Sequence, residues 1–366
     1  MGLLKDLYSR VFYGNLSDAL LEVLPSFNKQ KFLQQIFTDD FSRKELKARM
    51  RHTSETLHAF MPADFKRMVE IIYKLIQNLK KKNIGEDGLT YMFLPDYIEV
   101  YGIDNFDDSI KSIEFITQFV SCEFAVRPFL LRYGSKMMAQ MQLWSKHENY
   151  KVRRLSSEGS RPRLPWAMAI PDLKKDPSSI LPILENLKND PSEWVRRSVA
   201  NNINDIAKDH PDFVLKLARK WKGAAKETDA IIKHGSRTLL KKGHVGILSH
   251  YGLNSKNIQV SGFKIDTASV KIGGHLAFSF RVVNKDRKKQ TVRLEYGMYY
   301  KKANNQLTRK VFKISEKTYE PGAGLEVRLK QSFKKITIRT FYPGKHQLSV
   351  IVNGEEKGIM GFIVKE

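Results

Sequence analysis

Through roughly the first 250 residues, apolar positions recur at spacings of three and four. "LLKDLYSRVF", "LSDALLEVL", "QKFLQQIF", "SRKELKARMRHTSETLHAFM" and "ADFKRMVEIIYKLIQNLK" all carry that period, which predicts helices, with Asn15, Ser17, Asp40, Ser42 and Pro62 as caps and breaks between them. Beyond residue 256 the pattern shortens. "IQVSGFKI", "HLAFSFRVVN", "TVRLEYGMYY", "ITIRTFY" and "HQLSVIV" are short, partly alternating, and rich in β-branched and aromatic residues. The segments "KIGG", "NKDRKK", "KKANNQ", "EPGAG", "YPGK" and "NGEE" between them have turn compositions. About seven strands in this last third predict a small antiparallel sandwich of immunoglobulin-like type. The expected architecture is therefore an α-helical domain over 1–252 followed by a β-sandwich over 256–366, and a length of 366 residues suits two domains.

The helical part repeats itself. "NYKVRRLSSE" around Val152 and "SEWVRRSVAN" around Val195 share an aromatic residue close before Val-Arg-Arg, 43 residues apart. That period lies in the range of HEAT or armadillo helix pairs, which stack into an α-solenoid with an extended concave binding face; two copies leave a chance match open. In "DPSEWVRRSVANNINDIAKDHPD", Asp190 is expected to cap a helix with Pro191 at its first position. Val195, Val199, Ile203 and Ile206 then make one apolar stripe, and Arg197, Asn201 and Asp205 share a different face. Arginine and asparagine suit phosphate oxygens, so this face reads as a backbone-contact track, an ordinary solvated helix face being the alternative.

Charge sharpens that reading. There are 63 Lys+Arg against 39 Asp+Glu, a formal net charge of +24. Such an imbalance concentrates polyanions, and nucleic acid is the first partner to consider, ahead of acidic membranes. Residues 256–366 hold 23 Lys+Arg and 9 Asp+Glu, net +14, so the sandwich is expected to offer a second polyanion-contacting surface. Cys122 is the single cysteine, which excludes an internal disulfide and fits a reducing bacterial cytoplasm. The opening "MGLLKDLYSR" lacks the apolar core of a signal peptide, and no apolar run approaches the roughly 18 residues of a span. No membrane association is expected, and a monomer is.

Familiar catalytic motifs are missing from the sequence: no Walker loop, no G-x-S-x-G, no H-E-x-x-H, and no H-x-E with a downstream cysteine pair. The nine histidines do not cluster with carboxylates at ligand spacing, so neither a metal nor a cofactor is expected. Any catalysis must come from carboxylates and aromatics. "NYKVRRLSSEGSRPRLPWA" sets five cationic side chains around one carboxylate, Glu158, and reaches Trp166 near its end. On the residues alone, an internal ion pair to Arg153, Arg161 or Arg163 remains open for Glu158, burial for Trp166, and a helix-start role after Ser121 for Glu123.

"SCEFAVRPFL", "VRRLSSEGSRPRLPWA" and "WVRRSVANNINDIAKDHPD", in that order, resemble the signature segments of the AlkC group of HEAT-repeat DNA alkylation-repair glycosylases, one branch of which carries a C-terminal immunoglobulin-like domain. The group is similar in function to AlkD, and both remove cationic N-methylated bases, 3-methyladenine above all. The resemblance implies active-site roles for Glu123, Glu158 and Asp205, with Trp166 against the lesion, and it implies DNA-backbone contacts at Arg154 and Arg197. Arg127, Arg153, Arg161, Arg163, Arg196, Asn201 and Lys208 complete the expected DNA-binding set. Ser157 stands where the group shows alanine more often. A base methylated at N3 already weakens its bond to deoxyribose, so anionic groups that stabilise an oxocarbenium-like sugar and orient water would suffice. An indole face adds about 0.5–2 kcal/mol of cation–π attraction. No lysine stands out as a Schiff-base nucleophile, so a monofunctional hydrolase of alkylated double-stranded DNA is expected, excising chiefly 3-methyladenine with 3-methylcytosine as a further candidate, from a shallow electropositive groove.

Overall fold

The computed structural model describes residues 3–335 and 339–366. Packing divides the chain into two compact units, one comprising residues 1–209 and 223–235, the other 210–222 and 236–366. The first unit is helical throughout. Helix Tyr150–Gly159 packs on Glu193–Ile206, which packs in turn on Lys226–Gly235. Val152 and Val195, the two ends of the 43-residue period, are both fully buried, as are Val199 and Ile203. The stripe read from the sequence is the stripe that the layers bury, at about 1.5–3 kcal/mol for each aliphatic side chain.

Local chemistry moves some boundaries. Asn15 and Ser17 do not break the first helix, which runs Arg10–Val23, because the Ser17 hydroxyl donates to the Tyr13 carbonyl at 2.7 Å and is satisfied within the helix. The break falls earlier, at Ser9, whose hydroxyl accepts from the Phe12 amide. Nor does Asp190 cap the Trp194 helix, which starts at Glu193 with Ser192 before it. Asp190 instead accepts the Ser192 amide at 2.8 Å and the Arg153 guanidinium at 2.6 Å, a buried ion pair having claimed the carboxylate.

In the second unit, helices Pro211–Trp221, Arg237–Lys242 and Val245–His250 accompany the strands. Composition divides the chain at 252–256, whereas packing groups these helices with the sandwich. The Asn353 amide, for instance, donates to the Asn254 carbonyl at 2.7 Å. The strands are β1 (Ile258–Ile265), β2 (Ser269–Lys271), β3 (His275–Asn284), β4 (Gln290–Lys301), β5 (Leu307–Tyr319), β6 (Gly324–Ser332), β7 (Gly344–Val352) and β8 (Glu355–Lys365). They form a three-stranded sheet, β1-β3-β6, and a five-stranded sheet, β2-β8-β7-β4-β5. Phe278, Phe280, Leu294, Leu348, Val350 and Phe362 belong to the core of this sandwich. The expected strand "ITIRTFY" lies partly outside the described residues, since 336–338 are not among them. Among the described residues, no helix is long and apolar enough to cross a membrane.

Candidate active site

The candidate residues gather where two consecutive layers of the helical unit meet. Glu158 lies in the last turn of helix Tyr150–Gly159, and Asp205 in the last turn of helix Glu193–Ile206. Helical periodicity aligns Lys151, Arg154 and Glu158 along one stripe and Trp194, Arg197, Asn201 and Asp205 along the matching stripe of the next layer. The two carboxylates are joined by one side chain. Arg161 donates from Nη1 to Glu158 Oε1 at 2.6 Å and from Nε to Asp205 Oδ2 at 2.8 Å. Ser198 Oγ donates to Glu158 Oε2 at 2.6 Å, and Lys208 Nζ to Asp205 Oδ1 at 2.8 Å. Burial alone would depress Arg161, but the two carboxylates outweigh it and hold its pKa above the ordinary arginine value.

This geometry settles two of the alternatives left open by the sequence. Glu158 is in an internal ion pair with Arg161, and both Glu158 and Asp205 are buried rather than presented as free anions. Trp166 is not a core residue: it is 62% exposed. Its backbone is left-handed, with φ +64°, a conformation that costs a bulky L-residue about 1–2 kcal/mol. Glu123 is the most accessible of the three carboxylates. It accepts from Ser121 Oγ at 2.9 Å and from Arg154 Nη1 at 3.0 Å, and its side chain retains 19% exposure.

Several expected phosphate contacts are structural instead. Arg127 is fully buried and clamps the loop that leaves Glu158, donating to the carbonyls of Met168 at 2.6 Å, Gly159 at 2.9 Å and Arg161 at 2.8 Å. Burial, with Arg161 close by, pulls Arg127 down to about 10. Its Nη2 is buried with no partner, so it cannot reach a phosphate. Arg161 is spent on the carboxylates. Arg153 is held by Asp190 and by the carbonyls of His147 and Glu148, and Arg196 by the carbonyls of Asp190 and Pro191, which ties both to the loop between layers. Arg163 pairs with Asp209 at 2.7 Å, and Lys208 with Asp205, both with over a third of the side chain exposed. Arg154 is half-buried beside Glu123, Asn201 is half-buried, and Arg197 is exposed.

Three residues at the site were not among the candidates, although one of them, Trp194, is the aromatic residue of the repeated segment. Lys47, from helix Leu46–His58, donates to the Trp166 carbonyl and lies over the Phe124 ring at 5.1 Å. Ser198 supports Glu158 from the next layer. Trp194, 63% exposed, walls a cavity of about 370 Å³ together with Ser121, Tyr150, Lys151 and Arg154. Among the described residues, no three His, Cys, Asp or Glu side chains converge on a metal position.

A HEAT-type helical layer pair that buries an arginine-bridged carboxylate cluster, followed by an immunoglobulin-like sandwich, is a distinctive combination. The HEAT-repeat family model matches residues 180–210, and that of the C-terminal Ig-like domain of YhaZ matches 259–366. The uncharacterized protein YhaZ of Bacillus subtilis (strain 168) is 43% identical over 362 residues, 99% of either chain. The alkylpurine DNA glycosylase AlkC of Pseudomonas fluorescens, solved bound to DNA containing an abasic site analog, is 34% identical over all of both chains, with a TM-score of 0.94. The chain belongs to the AlkC family of HEAT-repeat proteins, in the branch with a C-terminal Ig-like domain.

Proposed function

We propose that this protein is a monofunctional DNA glycosylase that hydrolyses the N-glycosidic bond of cationic alkylated bases in double-stranded DNA, 3-methyladenine first among them. The observation that carries the reading is Trp166, an exposed indole on a strained backbone, in the loop that runs from the Glu158–Arg161–Asp205 cluster. Strain of this kind persists only where surrounding structure imposes it, and it concentrates at functional sites. Here Lys47 donates to the Trp166 carbonyl and Arg127 to that of Met168, which holds the loop on both sides.

The chemistry asks for no acid. The N3-methylated base departs neutral, so the site needs negative charge for the oxocarbenium-like sugar and an acceptor to orient water. Glu123 is the carboxylate with access for both. Asp205 and Glu158 supply a fixed negative field behind it. Lys208, with over a third of its side chain exposed, is free to turn to a DNA phosphate and release Asp205 Oδ1 toward the sugar. A neutral adenine would gain neither the cation–π attraction nor the carboxylate field, which makes charge the basis of selection.

Methylated duplex DNA is the test substrate, with free bases measured by chromatography. The wild type should release 3-methyladenine, and Glu123→Gln should slow release roughly 100-fold or more, as removal of one preorganised stabilising group does elsewhere. The rival reading is a non-catalytic nucleic-acid scaffold. It predicts no base release, with DNA affinity kept or improved when Glu123 and Glu158 both become Gln.

A further inference from the structure

We propose that the cavity walled by Tyr150 and Trp194 is a second nucleic-acid site, a stacking platform for a neutral, unpaired nucleobase two or three nucleotides from the lesion on the same strand. This rests on the glycosylase reading and extends it to a position outside the reaction centre.

The cavity, about 370 Å³, lies within the volume range of small-ligand sites. Its two cations are paired. Lys151 is held by Glu86 at 2.8 Å and by Asp87 at 3.1 Å, and Arg154 by Glu123 at 3.0 Å. A phosphate would find little unspent positive charge there, whereas the ordinary bases that flank a lesion are neutral. What the cavity does offer is aromatic surface, an indole 63% exposed and a phenol 39% exposed. Large exposed rings beside a polar cavity suit base stacking, which tolerates any sequence because every base has a π-face. The polar edge groups, Ser121 Oγ and Asp87, lie within the same wall for hydrogen bonds to whichever base enters.

Position along the helices fixes the register. Lys151 and Trp194 head the same stripes that end on Glu158 and Asp205, seven and eleven residues on. At 1.5 Å per residue the two intervals are roughly 11 and 16 Å. A stacked strand advances about 3.4 Å per nucleotide, so they span about three to five stacked steps, and about two or three where unstacking stretches the strand. Arg154 stands between the two ends, beside Glu123, and the exposed Arg197 occupies the equivalent place in the next layer. The stripes thus run from the lesion position, past two cations, to an aromatic stop.

The experiment uses the full chain and duplexes carrying a central abasic-site analogue, with 2-aminopurine placed singly at each of four positions on either side, in either strand. Wild-type binding should quench the fluorophore at one position, two or three nucleotides from the abasic site in the same strand. Trp194→Ala should abolish that quenching and weaken duplex binding about 5- to 150-fold, with Trp194→Phe restoring most of both. Trp194 is exposed, so its melting temperature should match the wild type and separate lost binding from lost fold. Quenching that survives Trp194→Ala, quenching confined to the complementary strand, or affinity unchanged within twofold would each overturn the proposal while 3-methyladenine release stands. A wild type that neither binds the duplex nor releases the base would instead sink the glycosylase reading, and this site with it.

Discussion

Arg161→Met removes the one side chain that joins two buried carboxylates of successive layers. Both lost contacts are charge-assisted hydrogen bonds, at 2.6 and 2.8 Å, each worth about 1.5–3 kcal/mol. The full penalty for stranding two anions does not apply, because Ser198 still donates to Glu158, Lys208 to Asp205, and the Arg127 charge remains close by. The lower half of the range is the better figure, about 3–4 kcal/mol, in line with the roughly 3–5 kcal/mol for breaking a buried ion pair. Urea unfolding followed by far-UV circular dichroism, which reports the helical unit, should show a wild-type-to-variant gap of about 3–4 kcal/mol at pH 8. A gap under about 1 kcal/mol there would falsify the bridging role assigned to Arg161.

Four further measurements bear on the structure. Ser157→Ala should stabilise the protein by roughly 1 kcal/mol in the same assay, because the Ser157 hydroxyl is buried without a partner, and a lower midpoint would show that it bonds after all. Trp166→Gly should leave the melting temperature level or raised, by relief of the left-handed backbone, while base release falls; a clear loss of stability would make the indole a structural prop. His346 is buried among Phe333, Phe362 and Tyr300, and burial depresses its pKa, so the unfolded chain binds the proton more readily and stability drops as pH falls below about 6.5. His346→Phe should therefore flatten the fall in melting temperature between pH 7.5 and 5.5, and an unchanged slope would exclude it as the source. Arg197→Ala should reduce the slope of log affinity against log salt by about 1 for every DNA sequence tried, whereas an unaltered slope would remove Arg197 from the backbone contacts.

The division into helices and strands was readable because burial on one face imposes its own period. β1 and β3 fall on Ile258–Ile265 and His275–Asn284, the two segments that alternation and β-branching had marked. β5 gave a weaker signal: "LTRKVFKISEKTY" has lysine or arginine at four positions, since as the edge of its sheet it is blunted by charge rather than patterned by burial. Within the site, residue types were legible and their partners were not. Arginines 127, 153, 161 and 196 look alike in sequence to Arg197. What separates them is which carbonyls and carboxylates the fold brings within 3 Å, and these come from residues such as Met168, Asp190 and Asp205 that no spacing rule connects to them. The packing also bears on a natural test of the basic sandwich. Truncation at residue 255 would strip helices Pro211–Trp221 and Val245–His250 of the unit they pack in, so charge substitutions at exposed lysines such as Lys302 probe DNA contact more cleanly.

Lys47 gives the molecule an unexpected dependence on its own beginning. Glu158, Trp166 and Asp205 sit close together in the chain, and a fragment starting at Ser121 would contain every residue proposed to touch the damaged base and its sugar. Such a fragment would nonetheless leave the Trp166 loop without one of its two anchors, because that anchor arrives from a helix translated more than a hundred residues earlier. The proposed site is therefore not portable in a minimal excised piece, and on the ribosome the Trp166 loop gains both anchors only after both distant segments have emerged.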